Sequence, residues 1–235
     1  MWTATSTTPQ LTQARPIMDL VPADSLVVYA AKPYGRLLPT TLPDGQPTLS
    51  IASIAAALNA AGLIPNEGQV FADIAGALPL FGQFEHAVVL LDVSSRVLEK
   101  KEATSQPVLV DLSLRLKSLQ TAVIFRTGDQ SSVVLDQLNR VISRYTNQTV
   151  AKLSSQKESG YVYQRLVDER LPGWAIWEWG RLDEFYVVCF GEGAFKKIAR
   201  AHAGQVRRLG EDDWFRKAMS KTHGDEALIE WFLPK

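Results

Sequence analysis

The stretch from Tyr161 to Phe190 constrains the chain most. Within thirty residues it holds three runs rich in aromatic and β-branched side chains, Tyr161 to Val167, Trp174 to Trp179 and Glu184 to Phe190. Successive strands with short connections read as antiparallel neighbours, and Gly180-Arg181-Leu182-Asp183 is the expected hairpin connection between the last two. Gly191-Glu192-Gly193 then leads into a helix carrying Phe195, Ile198, Ala199 and His202 on one face and Lys196, Lys197 and Arg200 on the other, with Gly204 ending it.

Earlier in the chain, Leu26-Val27-Val28-Tyr29-Ala30-Ala31 predicts a first strand after the turn residues Pro22 and Asp24. Four prolines between Pro33 and Pro47 predict a surface loop, because proline removes backbone donors. Ile51, Ile54, Ala55 and Leu58 predict a helix that Ser50 caps and Gly62 ends, and Val70, Phe71, Ile74 and Leu78 a second, short one. Ala87 to Val93 is apolar on both faces, which predicts a strand in the middle of a sheet. Residues 94–107 read as a polar excursion. Leu112, Leu114 and Leu116 alternate as in a strand, and with Thr121 to Thr127 they predict a bent or hairpinned ribbon. The clearest helix follows Gly128-Asp129, with Val133, Val134, Leu138, Val141, Ile142 and Tyr145 inward.

Near the end, a helix is expected around Glu211 to Ser220, acidic at its start and basic at its end in keeping with the helix dipole. Ala227 to Leu233 has a strand pattern, which either docks into the sheet or belongs to the front portion of a longer protein. Residues 1–20, rich in Thr, Ser and Pro, read as a flexible tail ahead of a single domain over 21–235, with a sub-division near 150–160. The fold class is α+β: a mainly antiparallel sheet with helices packed on one face, and a pattern compatible with two related halves.

Composition narrows the function classes. With 46% hydrophobic and 21% charged residues the chain is globular rather than disordered, and no apolar run approaches the ~20 residues of a membrane-spanning helix. The 25 basic and 25 acidic residues cancel, which argues against a general nucleic-acid binder. MWTATSTTPQ lacks the basic and apolar regions of a secretory signal. A cytoplasmic location is thus the default expectation, and an extracytoplasmic one holds if the protein begins upstream. The single cysteine, Cys189, cannot form an internal disulfide, which suits a reducing compartment.

Three stretches carry a resemblance: Val21-Pro22-Ala23-Asp24-Ser25-Leu26, Leu90-Leu91-Asp92-Val93, and Pro172-Gly173-Trp174 leading through Trp179-Gly180 to Val187-Val188 and Gly191-Glu192-Gly193-Ala194-Phe195. Over roughly residues 20 to 235 the chain resembles an uncharacterised family of bacterial proteins. In that family a Pro-Ala-Asp segment starts α+β units of antiparallel strands and flanking helices. The resemblance implies that architecture and supplies no catalytic residues; the export common in the family finds no signal in this N-terminus.

Candidate chemistry is sparse. Gly191-Glu192-Gly193 lies between a strand and a helix, where backbone N–H groups can hold phosphate, but the dinucleotide and Walker spacings are absent and Glu192 repels anions. His86, His202 and His223 have no metal-ligand spacing, so no metal or cofactor is expected, and His202 reads as a satisfied histidine on an apolar stripe. No Gly-x-Ser-x-Gly elbow occurs. By strand alternation Trp177 and Trp179 share one face and Trp174 points to the other; core packing is the favoured reading, and an indole platform for a sugar ring, a peptide or a partner surface the alternative. Charge is uneven: residues 195–221 carry eight Lys/Arg against three Asp/Glu. The basic face of Lys196, Lys197, Arg200, Arg207 and Arg208 reads first as a solvated face, the alternative being docking of an acidic partner or anionic lipid headgroups.

The sequence therefore reads as a noncatalytic binding or assembly module, its partner another protein or the rest of a longer chain. The ligand or partner surface is expected among Trp177, Trp179, Gly191, Gly193, Lys196, Lys197 and Arg200. The rival reading is a small-molecule or anion-binding enzyme using the Gly191-Glu192-Gly193 turn.

Overall fold

A computed structural model describes residues 15–33, 80–97, 114–148, 151–221 and 229–232. The strands are β1 (Val27–Ala31), β2 (Glu85–Val97), β3 (Leu114–Arg126), β4 (Lys152–Glu158), β5 (Tyr161–Val167), β6 (Ile176–Leu182), β7 (Phe185–Phe190) and β8 (Ile229–Phe232). The helices are α1 (Ser131–Gln148), α2 (Ala194–His202) and α3 (Asp213–Lys221). All eight strands form one sheet in the order β4-β5-β6-β7-β3-β2-β1-β8, and every neighbouring pair is antiparallel. The chain is mixed α+β, as the sequence predicts. The two helices predicted before residue 79 lie outside the described residues.

Strand periodicity divides the core in two. On β3 and β7, Ala122, Ile124, Phe185, Val187 and Cys189 face one side with Phe195, Ile198 and Ala199 of α2 and Phe215 of α3. Phe125 and Tyr186 face the other, where Val134, Leu138 and Ile142 of α1 cover them together with Leu80 and Phe84. Helices therefore pack on both faces, which corrects the one-face expectation. The central strands β3 and β7 are apolar on both sides and are stable only when both are covered.

Several expected elements shift for identifiable reasons. The described part of the ribbon expected at 112–127 is one strand, β3, with register shifts against β2 at Leu90/Asp92 and Ser94/Ser95. The β6–β7 turn is Asp183-Glu184 rather than Gly180 to Asp183, because Leu182 and Phe185, both fully buried, pair across it. Residues 15–20 are not tail. Ile17, Met18 and Leu20 of the 3₁₀ turn Ile17–Leu20 are buried in the α2-side core. Arg126, ion-paired to Glu85 at 2.6 Å and Glu184 at 3.1 Å, donates to the Arg15 carbonyl and ties this segment down. The polar β4 is an edge strand joined to β5 by the two-residue turn Ser159-Gly160, both residues at positive φ.

Candidate functional site

Helix α2 begins at Gly193, which has no side chain to cap the free N–H groups of the first turn. The missing acceptor comes from the sheet. Glu178 on β6, 1% exposed, accepts the Gly193 N–H at 3.3 Å through Oε1 and the Phe195 N–H at 3.0 Å through Oε2. Burial raises its pKa above the usual carboxylate value, while the two backbone hydrogen bonds pull it back down. The place where a phosphate would sit at this helix start is thus filled by the protein's own carboxylate.

The surrounding charges are also matched internally. Glu192 accepts from Arg165 at 2.7 Å, and its carbonyl accepts from the Gln120 amide at 2.5 Å. Lys196 and Arg200 both reach Glu158, at 3.6 and 3.0 Å, and the Arg200 hydrogen bond leads in holding that carboxyl below its usual pKa. Arg207 pairs with Asp212 and Arg208 with Glu211. Lys197 is half-buried. The basic face is therefore largely an intramolecular ion-pair network, and exposed pairs of this kind contribute only about 0–1 kcal/mol each.

The indoles separate. Trp179 is 3% exposed and packs under α1, whereas Trp177 on the same strand face is 40% exposed. Trp174 precedes β6, so strand alternation does not place it on the opposite face; its ring meets Phe190 at 5.9 Å, and Trp177 meets the same ring at 4.9 Å. The register continues this surface: Phe190 pairs with Trp177, Trp177 with Leu166, and Leu166 with Leu153 on the edge strand. Leu153 is 53% exposed, and Val162, further along the same face, 58%. An aromatic and aliphatic row thus crosses four strands beside α1.

A polar cluster not anticipated from the sequence surrounds His202. Its Nδ1 lies 2.9 Å from Arg15 Nη1, and a guanidinium only donates, so Nδ1 accepts and the proton sits on Nε2. Nε2–H points to Asp183 Oδ2 at 2.8 Å, with the Tyr161 hydroxyl at 3.1 Å; that hydroxyl donates to the Asp183 carboxylate at 3.2 Å. Burial lowers the His202 pKa despite the Asp183 contact, and burial together with Asp183 raises that of Tyr161. The group joins the N-terminal segment, the β6–β7 turn, β5 and the end of α2. Among the described residues the hydrogen-bond partners of the His202 ring are Arg15, Tyr161 and Asp183. Cys189 is buried, and desolvation holds its thiol well above its usual pKa.

Among the described residues no three His, Cys, Asp or Glu side chains converge as a metal site, and no helix is long and apolar enough to cross a membrane. No family model, curated protein or solved structure matches the chain.

Proposed function

We infer that the chain is a noncatalytic binding or assembly module whose contact surface is Trp177 and Phe190, with Trp174 beside them and Leu153 beyond the buried Leu166. The observation that carries this reading is the 40% exposure of Trp177 beside the Phe190 ring, on a sheet face that α1 covers elsewhere and on which Leu153, two strands away across the buried Leu166, is also exposed. A half-exposed indole with an apolar neighbour is the side-chain type that anchors protein interfaces. The partner that fits is a protein presenting apolar side chains. The rival reading, an anion-binding enzyme built on Gly191, Gly193 and Lys196, has Glu178 against it, because a ligand phosphate would have to displace a buried carboxylate that already holds the same N–H groups.

The recurrence of three antiparallel strands and a helix, β1-β2-β3-α1 and β5-β6-β7-α2, on the two sides of the β3–β7 pair supports reading the module as two related halves. The opposite placement of α1 and α2 means that such halves have diverged in how they cover the sheet.

Acrylamide quenching of tryptophan fluorescence tests the contact surface. The accessible fraction drops in Trp177→Phe and rises in Trp179→Phe, which removes a buried emitter, provided that variant folds. An accessible fraction that does not drop in Trp177→Phe means the indole is covered, and the proposed surface fails.

A further inference from the structure

Among the described residues, the strand β4 ends the sheet with no strand on its outer edge. Its sequence, Lys152-Leu153-Ser154-Ser155-Gln156-Lys157-Glu158, is mostly exposed, and among the described residues it pairs only with β5. The two-residue turn Ser159-Gly160 closes on the hydrogen-bonded pair Glu158–Tyr161, so the backbone groups of Lys152, Ser154, Gln156 and Glu158 point to β5. Those of Leu153, Ser155 and Lys157 point outward. They form a short row of N–H and C=O groups able to accept another strand.

We propose that this edge pairs with the β4 edge of a second copy, antiparallel about a two-fold axis at Ser155. The register comes from the outward groups: Ser155 faces the partner's Ser155, and Leu153 faces the partner's Lys157, as hydrogen-bonded pairs. Ser154 then faces the partner's Gln156, and Lys152 faces the partner's Glu158. The strand is self-complementary about Ser155. Its two end residues have opposite charge and meet twice by symmetry, and opposite charges directly across a sheet are favourable. Lysine on an edge strand ordinarily guards against pairing. Here Lys152 faces the partner's Glu158, whose carboxylate Arg200 and Lys196 of its own chain already reach, so the lysine joins a shared ion-pair network rather than a free acid. Lys157 lays its alkyl stem along Leu153, which is 53% exposed in the single chain. Ser154 and Ser155 leave room for close approach without burying a charge at the centre.

This deepens the assembly reading by naming one partner, a second copy, but it uses the sheet edge. The two surfaces share Leu153, but Trp177 lies two strands away and stays exposed in the dimer, so the Trp177 variants and the edge variants can fail separately.

The test is sedimentation velocity over a concentration series up to about 200 μM, where a short interface with micromolar affinity is populated. Wild type is expected to pass from one chain to two. Ser155→Pro removes an outward N–H while leaving the β5 ladder intact, and is expected to remain monomeric with unchanged far-UV circular dichroism. Lys152→Glu sets like charges opposite each other and is expected to weaken the dimer about tenfold; its own partner Glu169 is exposed, so the fold does not depend on it. A wild-type chain that stays monomeric throughout overturns the proposal. So does a dimer that neither variant weakens; if Trp177→Ser dissolves that dimer instead, the contact belongs to the Trp177 face and only the edge pairing is lost.

Discussion

Glu178 serves as a helix cap and as a buried ionisable group, and the two roles pull its carboxyl in opposite directions. Glu178→Ala leaves the Gly193 and Phe195 N–H groups without an acceptor and is expected to cost about 2–4 kcal/mol; Glu178→Gln, which keeps one oxygen, about 1 kcal/mol. The pH dependence has a definite sign. The native pKa of Glu178 lies above its unfolded value near 4.5, so its stabilising share is full below that pH and is lost as pH rises through the native value. The gap between wild type and Glu178→Gln in urea unfolding therefore narrows from pH 4.5 to 7. The histidines act the other way. His86 and His202 have native values below the usual 6.5, both through burial, so their share is present above 6.5 and is lost as pH falls through the native values. A second proton on His202 would also set a cation against Arg15. In a Glu178→Gln background, the loss of stability between pH 7 and 5 is expected to shrink in His202→Gln and to shrink further with His86→Phe added. An acid slope unchanged by both substitutions would show that the histidines do not set it. The sequence marks His202 as satisfied but does not show by what, since its partners Arg15, Tyr161 and Asp183 come from three distant segments. Glu178 did leave a signal. It is a charged residue on a buried strand, followed by a helix with glycine where a capping side chain belongs.

At the scale of elements, the β7–α2 connection shows what each glycine of the Gly191-Glu192-Gly193 turn is for. Gly191 has φ +109, and a Cβ there would overlap the Leu119 carbonyl oxygen; Gly193 has φ +76, and a Cβ there would meet the Gln120 side chain without a clash, at 4.0 Å. Gly191→Ala is therefore expected to destabilise by about 3 kcal/mol or more, from a backbone clash added to strain, and Gly193→Ala by about 1 kcal/mol from strain alone. Thermal unfolding of the two variants checks the order; equal losses would contradict this reading of the turn. Elements with a strong period were legible, including α1, α2 and β5 to β7. Strand β4 was not, because only Leu153 among its seven residues is apolar and an edge strand needs no alternation. Its one clue is Ser159-Gly160, a hairpin dipeptide placed just before β5. On α1 the period gave the helix but not the width of its buried stripe: Val134 is 2% exposed and Val133 36%.

At the scale of the molecule, the antiparallel sheet was legible because its strands come one after another with short turns. The covering of both faces was not, since alternating residues on β3 and β7 show two apolar sides without naming which helix takes which. The same non-local choice decides the indoles. Trp177 and Trp179 are equivalent by alternation, and only the reach of α1 across the sheet buries one and leaves the other exposed. The polar groups near the Gly191-Glu192-Gly193 turn are engaged with one another, while Trp177 and Leu153 stay exposed, and this division favours a partner surface over a ligand site. A thermal-shift series against nucleotides, inorganic phosphate and glycans tests it most directly. The unfolding midpoint is expected to stay unchanged within about 1 °C for every compound, because the N–H groups and cations that would hold such a ligand are already engaged within the chain. A saturable rise of about 5–10 °C, as expected for a specific ligand at a hundred times its Kd, that Lys196→Ala abolishes would contradict the division and make the chain a small-molecule binder.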